Sequence, residues 1–428
     1  MNLTKQFFKY VSQNILGMIG FSCYVLADSY FISIAKGADG LTALNLVMPL
    51  YSIIFSIGEM IGVGSAIRYA ISKIKKDADA DDYFWNALIW CILSSMLFVF
   101  AGIFFSADIM RVLGADEHIV AVGNNYTKIF MCFAPMFMCN YVTNAFVRND
   151  GAPGIAMSAT LFSSLFNIVF DYILMFPMNL GMEGAALATA LSPIIGMGIC
   201  SIHFFSKKSS VRLVVCKPSV RKLVAGSQLG VSAFVGEMSS AVITLAFNFV
   251  ILKLAGNVGV AAYGVVANIA IVTTAVFNGV AQGSQPLISS CFGRGDKDGC
   301  TQLKRMGYTT AFVLAAVMYS ILFIFAGQFV AVFNSEGSEM LRLYATEGVK
   351  LYFIGIFFAG INIVGGGAFS ATEDAFKAAV VSVARGFVLI LGAVFVMSAL
   401  FGMTGVWLAY AVAEGITTFI MLVMVLRV

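Results

Sequence analysis

Charge is what this sequence has least of. Asp, Glu, Lys and Arg make up 11% of its 428 residues, against 60% apolar ones, and the mean hydropathy is +0.92. A soluble domain carries roughly 25% charged residues, so no water-facing surface can be built from this chain. Histidine is almost missing: His118 and His203 are too few and too far apart for a metal centre. A membrane-embedded acyltransferase would need a catalytic histidine within a span, and only His203, near the end of one apolar run and without a partner, comes close. The cysteines at 23, 91, 132, 139, 200, 216, 291 and 300 show no paired spacing. They read as apolar fillers, not as disulfides or metal ligands. No phosphate-binding glycine loop or ATPase cassette occurs, so transport by this chain would draw on an ion gradient, with no cofactor. The tripeptide Arg294-Gly295-Asp296 and the sequon at Asn125 read as chance matches.

Long apolar runs are what the sequence has instead. Spanning the hydrocarbon takes about 20 apolar residues per helix, and twelve such runs are present, roughly at 10–35, 43–67, 84–107, 119–147, 153–176, 184–205, 223–253, 260–291, 306–333, 346–371, 375–399 and 403–426. Their connections are too short for an extramembrane domain. The fold class is therefore an all-α polytopic membrane protein with twelve transmembrane helices. With the N-terminus inside, nineteen Lys and Arg residues fall on the cytoplasmic side, Arg148 among them. Only Lys36, Arg111, Lys253 and Arg342 fall outside, while Lys128, Lys350 and Arg385 lie within runs. The positive-inside rule then places both termini in the cytoplasm. The net charge of +4 is spent in these loops and is no nucleic-acid signal. Lys5 and Lys9 precede an apolar run that continues past Asp28 without a cleavage site, so this run reads as the first span and not as a signal peptide.

The chain also repeats itself. GADGLTALNLVMPL from Gly37 matches GNVGVAAYGVVANI from Gly256 at an offset of 219. NAFVRNDGAP from Asn144 parallels GAFSATEDAF from Gly367 at 223, and GAALATAL from Gly184 parallels GVWLAYAV from Gly405 at 221. Six runs per half give both halves the same orientation, so the repeats are parallel and related by a pseudo-two-fold axis along the membrane normal. The polar stretch 206–222 is the natural cytoplasmic linker between a bundle at 1–205 and a second at 223–428. Two bundles facing each other across a cavity suit alternating access.

Few acids remain inside the runs: Asp28, Glu59, Asp171, Glu237 and Glu414. An ionised side chain at mid-membrane costs about 2.5–3.5 kcal/mol on insertion scales, so each needs a reason. Asp28 lies roughly 12 Å below the outer end of the first span at 1.5 Å per residue. Asp171 lies roughly 9 Å down the fifth, and Thr189 on the sixth at about that depth. Asn167 is one turn deeper than Asp171, on the same helix face. These four converge in depth, and two neighbouring carboxylates in low dielectric cannot both ionise easily. They read as a proton site, or as oxygen ligands for a sodium ion. The structural alternative for Asp171 is an ion pair with Lys128. Glu237 reads as a cavity or ion-site residue or a packing hydrogen bond, and Glu59 and Glu414 as cavity lining or protonated packing groups. Met and aromatic residues on the cavity wall would suit varied substrates.

These residues carry a family resemblance. LADSYFISIAKGADGLTALNLVMPL from Leu26, GVAQGSQPLISSCFGRGD from Gly279, AFVRNDGAP and GMEGAALATAL together resemble the multidrug and toxic compound extrusion (MATE) transporters. The resemblance covers nearly the whole chain. For a DinF-like member it implies an ion site at Asp28, Asn167, Asp171 and Thr189. The NorM-like branch uses acids on its seventh and tenth spans; Glu237 matches the first, while near Ala359 only Asn362 is polar. Glu59, Gln282, Glu237 and Asn362 are then the candidate substrate-cavity residues. The implied function is a monomeric inner-membrane antiporter that exports amphipathic, mostly cationic organic compounds or drugs against protons or sodium, protons being favoured. A lipid-linked precursor flippase of the same superfamily is the rival; such flippases tend to carry cavity cations, and here acids outnumber cations within the runs. If the charge count sets the topology, a cysteine at Ser209 is expected to resist impermeant thiol reagents in intact cells, and one at Asn179 to react.

Overall fold

The computed structural model describes residues 3–212, 214–333 and 338–426, and these residues fold into helices without a strand. Nine helices are long and apolar enough to span a membrane, and the bent pair Glu117–Cys132 and Ala134–Asn149, at 46°, makes a tenth. Two of the nine, Val220–Gly293 and Ala375–Val425, kink at Gly256 and Gly402 and hold two spans each, which gives the expected twelve. We label them α1 (Leu3–Gly37), α2 (Asp39–Lys75), α3 (Asp82–Val112), α4 (the bent pair), α5 (Pro153–Met175), α6 (Gly181–Phe204), α7 (220–255), α8 (257–293), α9 (Lys297–Ile324), α10 (Glu339–Ala371), α11 (375–401) and α12 (403–426). They form two six-helix bundles.

The duplication is written in the backbone as well as in the sequence. Of the described residues with φ between +53° and +87°, all but Asn179 pair up along the chain: Gly37 with Gly256, Lys76 with Gly295, Gly151 with Glu373, and Gly181 with Gly402. Their separations of 219, 219, 222 and 221 residues are those of the sequence repeat. At Gly37 and Gly256 φ is about +60° with ψ −141° and −157°, a region that is essentially glycine-only. An L side chain there would be strained, so the sequence spends a glycine at each of these two equivalent turns.

The bundles meet along a seam where backbone nearly touches backbone. A methyl group added to Gly283 of α8 would lie 2.7 Å from the Cα of Val11 in α1, and one on Gly230 of α7 would strike the carbonyl of Met60 in α2. Shifting by 219 residues carries Val11 onto Gly230 and Gly64 onto Gly283, so the same contact is made twice. Phe7 and Val11 of α1 thereby join the core of the second bundle with Val280 and Ala281. Polar contacts close the same end: Arg68 of α2 pairs with Glu373 in the α10–α11 turn, and Lys75 reaches that glutamate at 3.6 Å.

The linker is strapped across the first bundle at this end. Arg212 donates its backbone N–H to Asp81 Oδ1 at 3.1 Å, Ser219 donates to Asn86 Oδ1 at 2.6 Å, and Lys222 pairs with Asp82. Asp150 gathers the rest. Its Oδ2 accepts from Ser210 N at 2.9 Å and Ser209 Oγ at 3.2 Å, and its Oδ1 from Tyr69 at 3.2 Å. His203 Nε2 completes the set at 2.8 Å from Oδ2. The sequence reading of a partnerless His203 is therefore corrected: its partner sits 53 residues away on the α4–α5 turn, a proximity that only folding creates. Because Ser209 is engaged here, the exposed Lys208 is the cleaner labelling position.

The seam yields a stability prediction. Gly283→Leu forces a side chain into backbone contact and is expected to cost about 1–3 kcal/mol, read as a lower melting temperature of the detergent-purified protein. Gly198→Ala, at an exposed helical site with open space beyond it, is expected to leave the melting temperature level or raise it slightly.

Candidate ion site and central cavity

The α5 helix begins at Pro153, whose missing N–H suits a first turn, and buries a stripe of Ala156, Ala159, Ser164, Asn167, Asp171 and Met175. Phe162, Leu165 and Tyr172 on the other face are exposed, as a lipid-facing surface requires. Asn167 and Asp171 are both 0% exposed, and Thr189 on α6 and Asp28 on α1 are 2% and 7% exposed. The α5–α6 approach is tight beside them, since Gly184 packs on the backbone of Leu174.

The Asn167 amide is best oriented with its nitrogen donating to Asp171 Oδ2 at 3.0 Å and its oxygen accepting from Thr189 Oγ1 at 3.1 Å. Asp28 lies within electrostatic reach of Asp171. Oδ1 of Asp28 and Oδ1 of Asp171 are buried without any donor. Buried polar atoms are nearly always paired, so two orphaned carboxylate oxygens on neighbouring helices set this cluster apart. Tyr24, Tyr51 and Tyr126 surround the pair within electrostatic reach, the last two joined by their hydroxyls. The structure thus brings together all four residues that the depth estimate collected. Lys128 is exposed, and among the described residues Asp171 has no ion pair, so the alternative pairing is not formed.

A cavity opens between the bundles one helical turn from this cluster, where Tyr24 and Ser164 line its wall. Its larger lobe encloses about 1010 Å³ of empty space, part of it open to solvent, under aromatic side chains of α1, α2 and α4. The lesser lobe, about 600 Å³, extends into the second bundle. Glu59, Glu237 and Gln282 face both lobes, and Asn362 faces the lesser. All four expected cavity residues are there.

Asn362 is already well engaged. It donates to Glu414 Oε2 at 2.7 Å and accepts from Thr418 Oγ1 at 3.0 Å. Glu414 in turn is held by Arg385, whose Nη2 and Nε reach Oε1 at 2.7 and 3.1 Å from a π-helical turn, Ala384–Val388, of α11. Glu414 is therefore a salt-bridge partner of Arg385 and the acceptor of Asn362, and does not line the cavity.

Arg148 is the residue that sequence reasoning misplaced. It stands one residue beyond the apolar run and was counted among the cytoplasmic loop cations, but α4 continues to Asn149 and holds it inside, 4% exposed. It lines the larger lobe, and its Nη1 donates to Gln282 Oε1 at 2.6 Å. The excess of acids over cations expected in the cavity is correspondingly smaller. The helical signal was present: Arg148 lies four residues from Asn144, on a face that α4 already turns inward.

Comparison with known proteins agrees with this architecture. A model of the MatE family matches residues 14–173 and 233–396. The multidrug export protein MepA of Staphylococcus aureus is 27% identical over 405 residues, covering 92% of this chain and 87% of that protein. Its namesake from Staphylococcus saprophyticus is 26% identical over 400 residues with the same coverage. In three dimensions the chain superimposes on an outward-facing multidrug resistance MATE family transporter of the MOP superfamily with a TM-score of 0.93 at 20% identity, covering 100% of this chain and 96% of that one. A MOP superfamily transporter from Pyrococcus furiosus, noted for reverse polarity of its binding pocket, gives 0.91 at 19% identity, covering 99% and 95%. At these identities the two likenesses concern the fold.

The bonding pattern around Asp171 can be tested for stability alone. Asn167→Leu removes the donor to Asp171 and the acceptor of Thr189, and is expected to cost about 1–3 kcal/mol. Asp171→Asn removes an ionisable group from an apolar site and is expected to express and melt like the parent, both measured by fluorescence-detected size exclusion and thermal scanning.

Proposed function

The chain belongs to the MatE family, and on that footing we propose that it exports amphipathic, mostly cationic organic compounds by antiport against a coupling ion. The single observation that carries the reading is the pair of buried aspartates, Asp28 and Asp171, each with an orphaned oxygen, one helical turn from a cavity between two bundles. The similarity to proteins named for multidrug export supports it. In this reading the cavity lies in the inner membrane of the cell, both termini face the cytoplasm, and one chain works as a monomer.

The coupling ion is proposed to be a proton. Sodium needs several oxygens in a fixed cage. The Asn167 amide that satisfies its neighbours presents nitrogen, not oxygen, to Asp171, which leaves few oxygens for a cage. A proton needs only one of the two carboxylates. Protonation from the outside would neutralise one carboxylate of the pair and favour outward release of a cationic substrate from the nearby acids Glu59 and Glu237. Loss of the proton toward the cytoplasm would reset the cluster. Two negative charges in low dielectric strongly disfavour each other, so the empty, deprotonated state is the unstable one, and the proton gradient sets the direction of the cycle.

The flippase alternative would use cavity cations for a pyrophosphate. Arg385 is neutralised by Glu414 and the remaining cation, Arg148, shares its lobe with two acids, which supports a solute over a polyanion.

The test is transport in proteoliposomes. An imposed pH gradient without sodium is expected to drive export of a lipophilic cation, and Asp28→Asn or Asp171→Asn to lower it at least tenfold at matched reconstitution. Export driven by a sodium gradient alone, with none from the pH gradient, would overturn the proton assignment.

A further inference from the structure

We propose that Arg148 is an anion-accepting subsite of the central cavity, so that the preferred substrates are amphipathic zwitterions in which an acidic group accompanies the cation. The proposal rests on the cavity being the substrate site, as read above.

The buried and half-buried guanidinium groups at or near the cavity differ in one respect. Arg385 is held by three hydrogen-bonding contacts to Glu414, and Arg68 is paired with Glu373. Arg148 has no ion pair among the described residues. A guanidinium carries five N–H donors; Arg148 gives one hydrogen bond, to Gln282, and its Nε is buried without a partner. At 4% exposure little of the group faces the solvent of the lobe. A buried charge lacking its counter-charge is strongly unfavourable, and a carboxylate is the group whose geometry matches the unused fork.

Gln282 explains why the protein's own acid does not fill that place. Its oxygen accepts from Arg148 at 2.6 Å, while its amide nitrogen donates to Glu59 Oε1 at 3.3 Å. It therefore stands between base and acid and keeps both from closing into a salt bridge. Glu59 lies within electrostatic reach of Glu237 as well as of Arg148. The lobe thus offers an acidic pair to a cation and, across one glutamine, an open guanidinium to an anion. A substrate with a cation alone satisfies the acids and leaves Arg148 facing like charge. One with both ends satisfies the whole set.

The probes are a carboxyrhodamine zwitterion and its ethyl ester, which differ only in the carboxylate, titrated into the purified full chain by fluorescence polarisation. The parent is expected to bind the zwitterion more tightly than the ester. Arg148→Gln is expected to weaken the zwitterion at least tenfold and the ester less than threefold. Gln282→Met, which cuts the same bond but keeps the guanidinium and a side chain of similar length between it and Glu59, is expected to shift both probes together and preserve their ratio. Should Arg148→Gln fail to fold, Arg148→Lys carries the test, with a three- to tenfold loss for the zwitterion alone. Equal losses for both probes in Arg148→Gln, no loss for either, or the same selective loss in Gln282→Met would each overturn the proposal. A parent that binds neither probe would instead overturn the cavity reading, and this inference with it.

Discussion

A charge buried in a membrane-embedded helix has to be compensated, because neither lipid nor a dry interior can solvate it. This chain meets that demand locally in most places. Arg385 lies against Glu414, Arg68 against Glu373, and Asp150 against His203 and the strapped linker. Among the described charged side chains, Asp28, Asp171 and Arg148 keep a buried atom with no partner and form no ion pair, whereas Arg68, which also keeps one, is paired with Glu373. The three groups without an ion pair lie on or beside one cavity, and the proposed ion and substrate roles fall to them. Fold and function part company along that line.

The geometry that keeps those groups dry comes from small residues. Glycines at 64, 226, 230, 279 and 283 let α1, α2, α7 and α8 approach until side chains are excluded from the seam. Without a hydrophobic force between helices in lipid, such close backbone packing is what holds membrane helices together. Because the contact is made twice through the repeat, the seam is a matched pair of close backbone approaches, with Arg68–Glu373 across the linker end. Gln282 sits where the two bundles meet the cavity and bonds Arg148 on one side and Glu59 on the other. A change in how the bundles lean on each other would be felt first at that glutamine.

Much of this was legible in the residues. Hydropathy alone counts the twelve spans, since the membrane demands that every backbone group be satisfied within a helix. The duplication reads directly from the offset matches, and the structure repeats it in the backbone at Gly37 and Gly256. The gathering of Asp28, Asn167, Asp171 and Thr189 followed from depth, because helices at a fixed rise per residue in a slab of fixed thickness turn sequence position into height. Helical periodicity also put Asn167 and Asp171 on one face.

Height and face, however, say nothing about which neighbour a side chain meets. His203 finding Asp150, Glu414 finding Arg385, and Arg148 turning into the cavity and not out to the loop all depend on how the helices are arranged around one another. The same holds for Lys128, whose height near Asp171 suggested a pair but whose face looks away. One-dimensional order specifies the helices, their depth and their repeat because the bilayer supplies the missing coordinate. The azimuth of each helix and the partner of each buried charge come from packing between helices distant in sequence, where a few glycines and a single glutamine set which charges touch and which stay open.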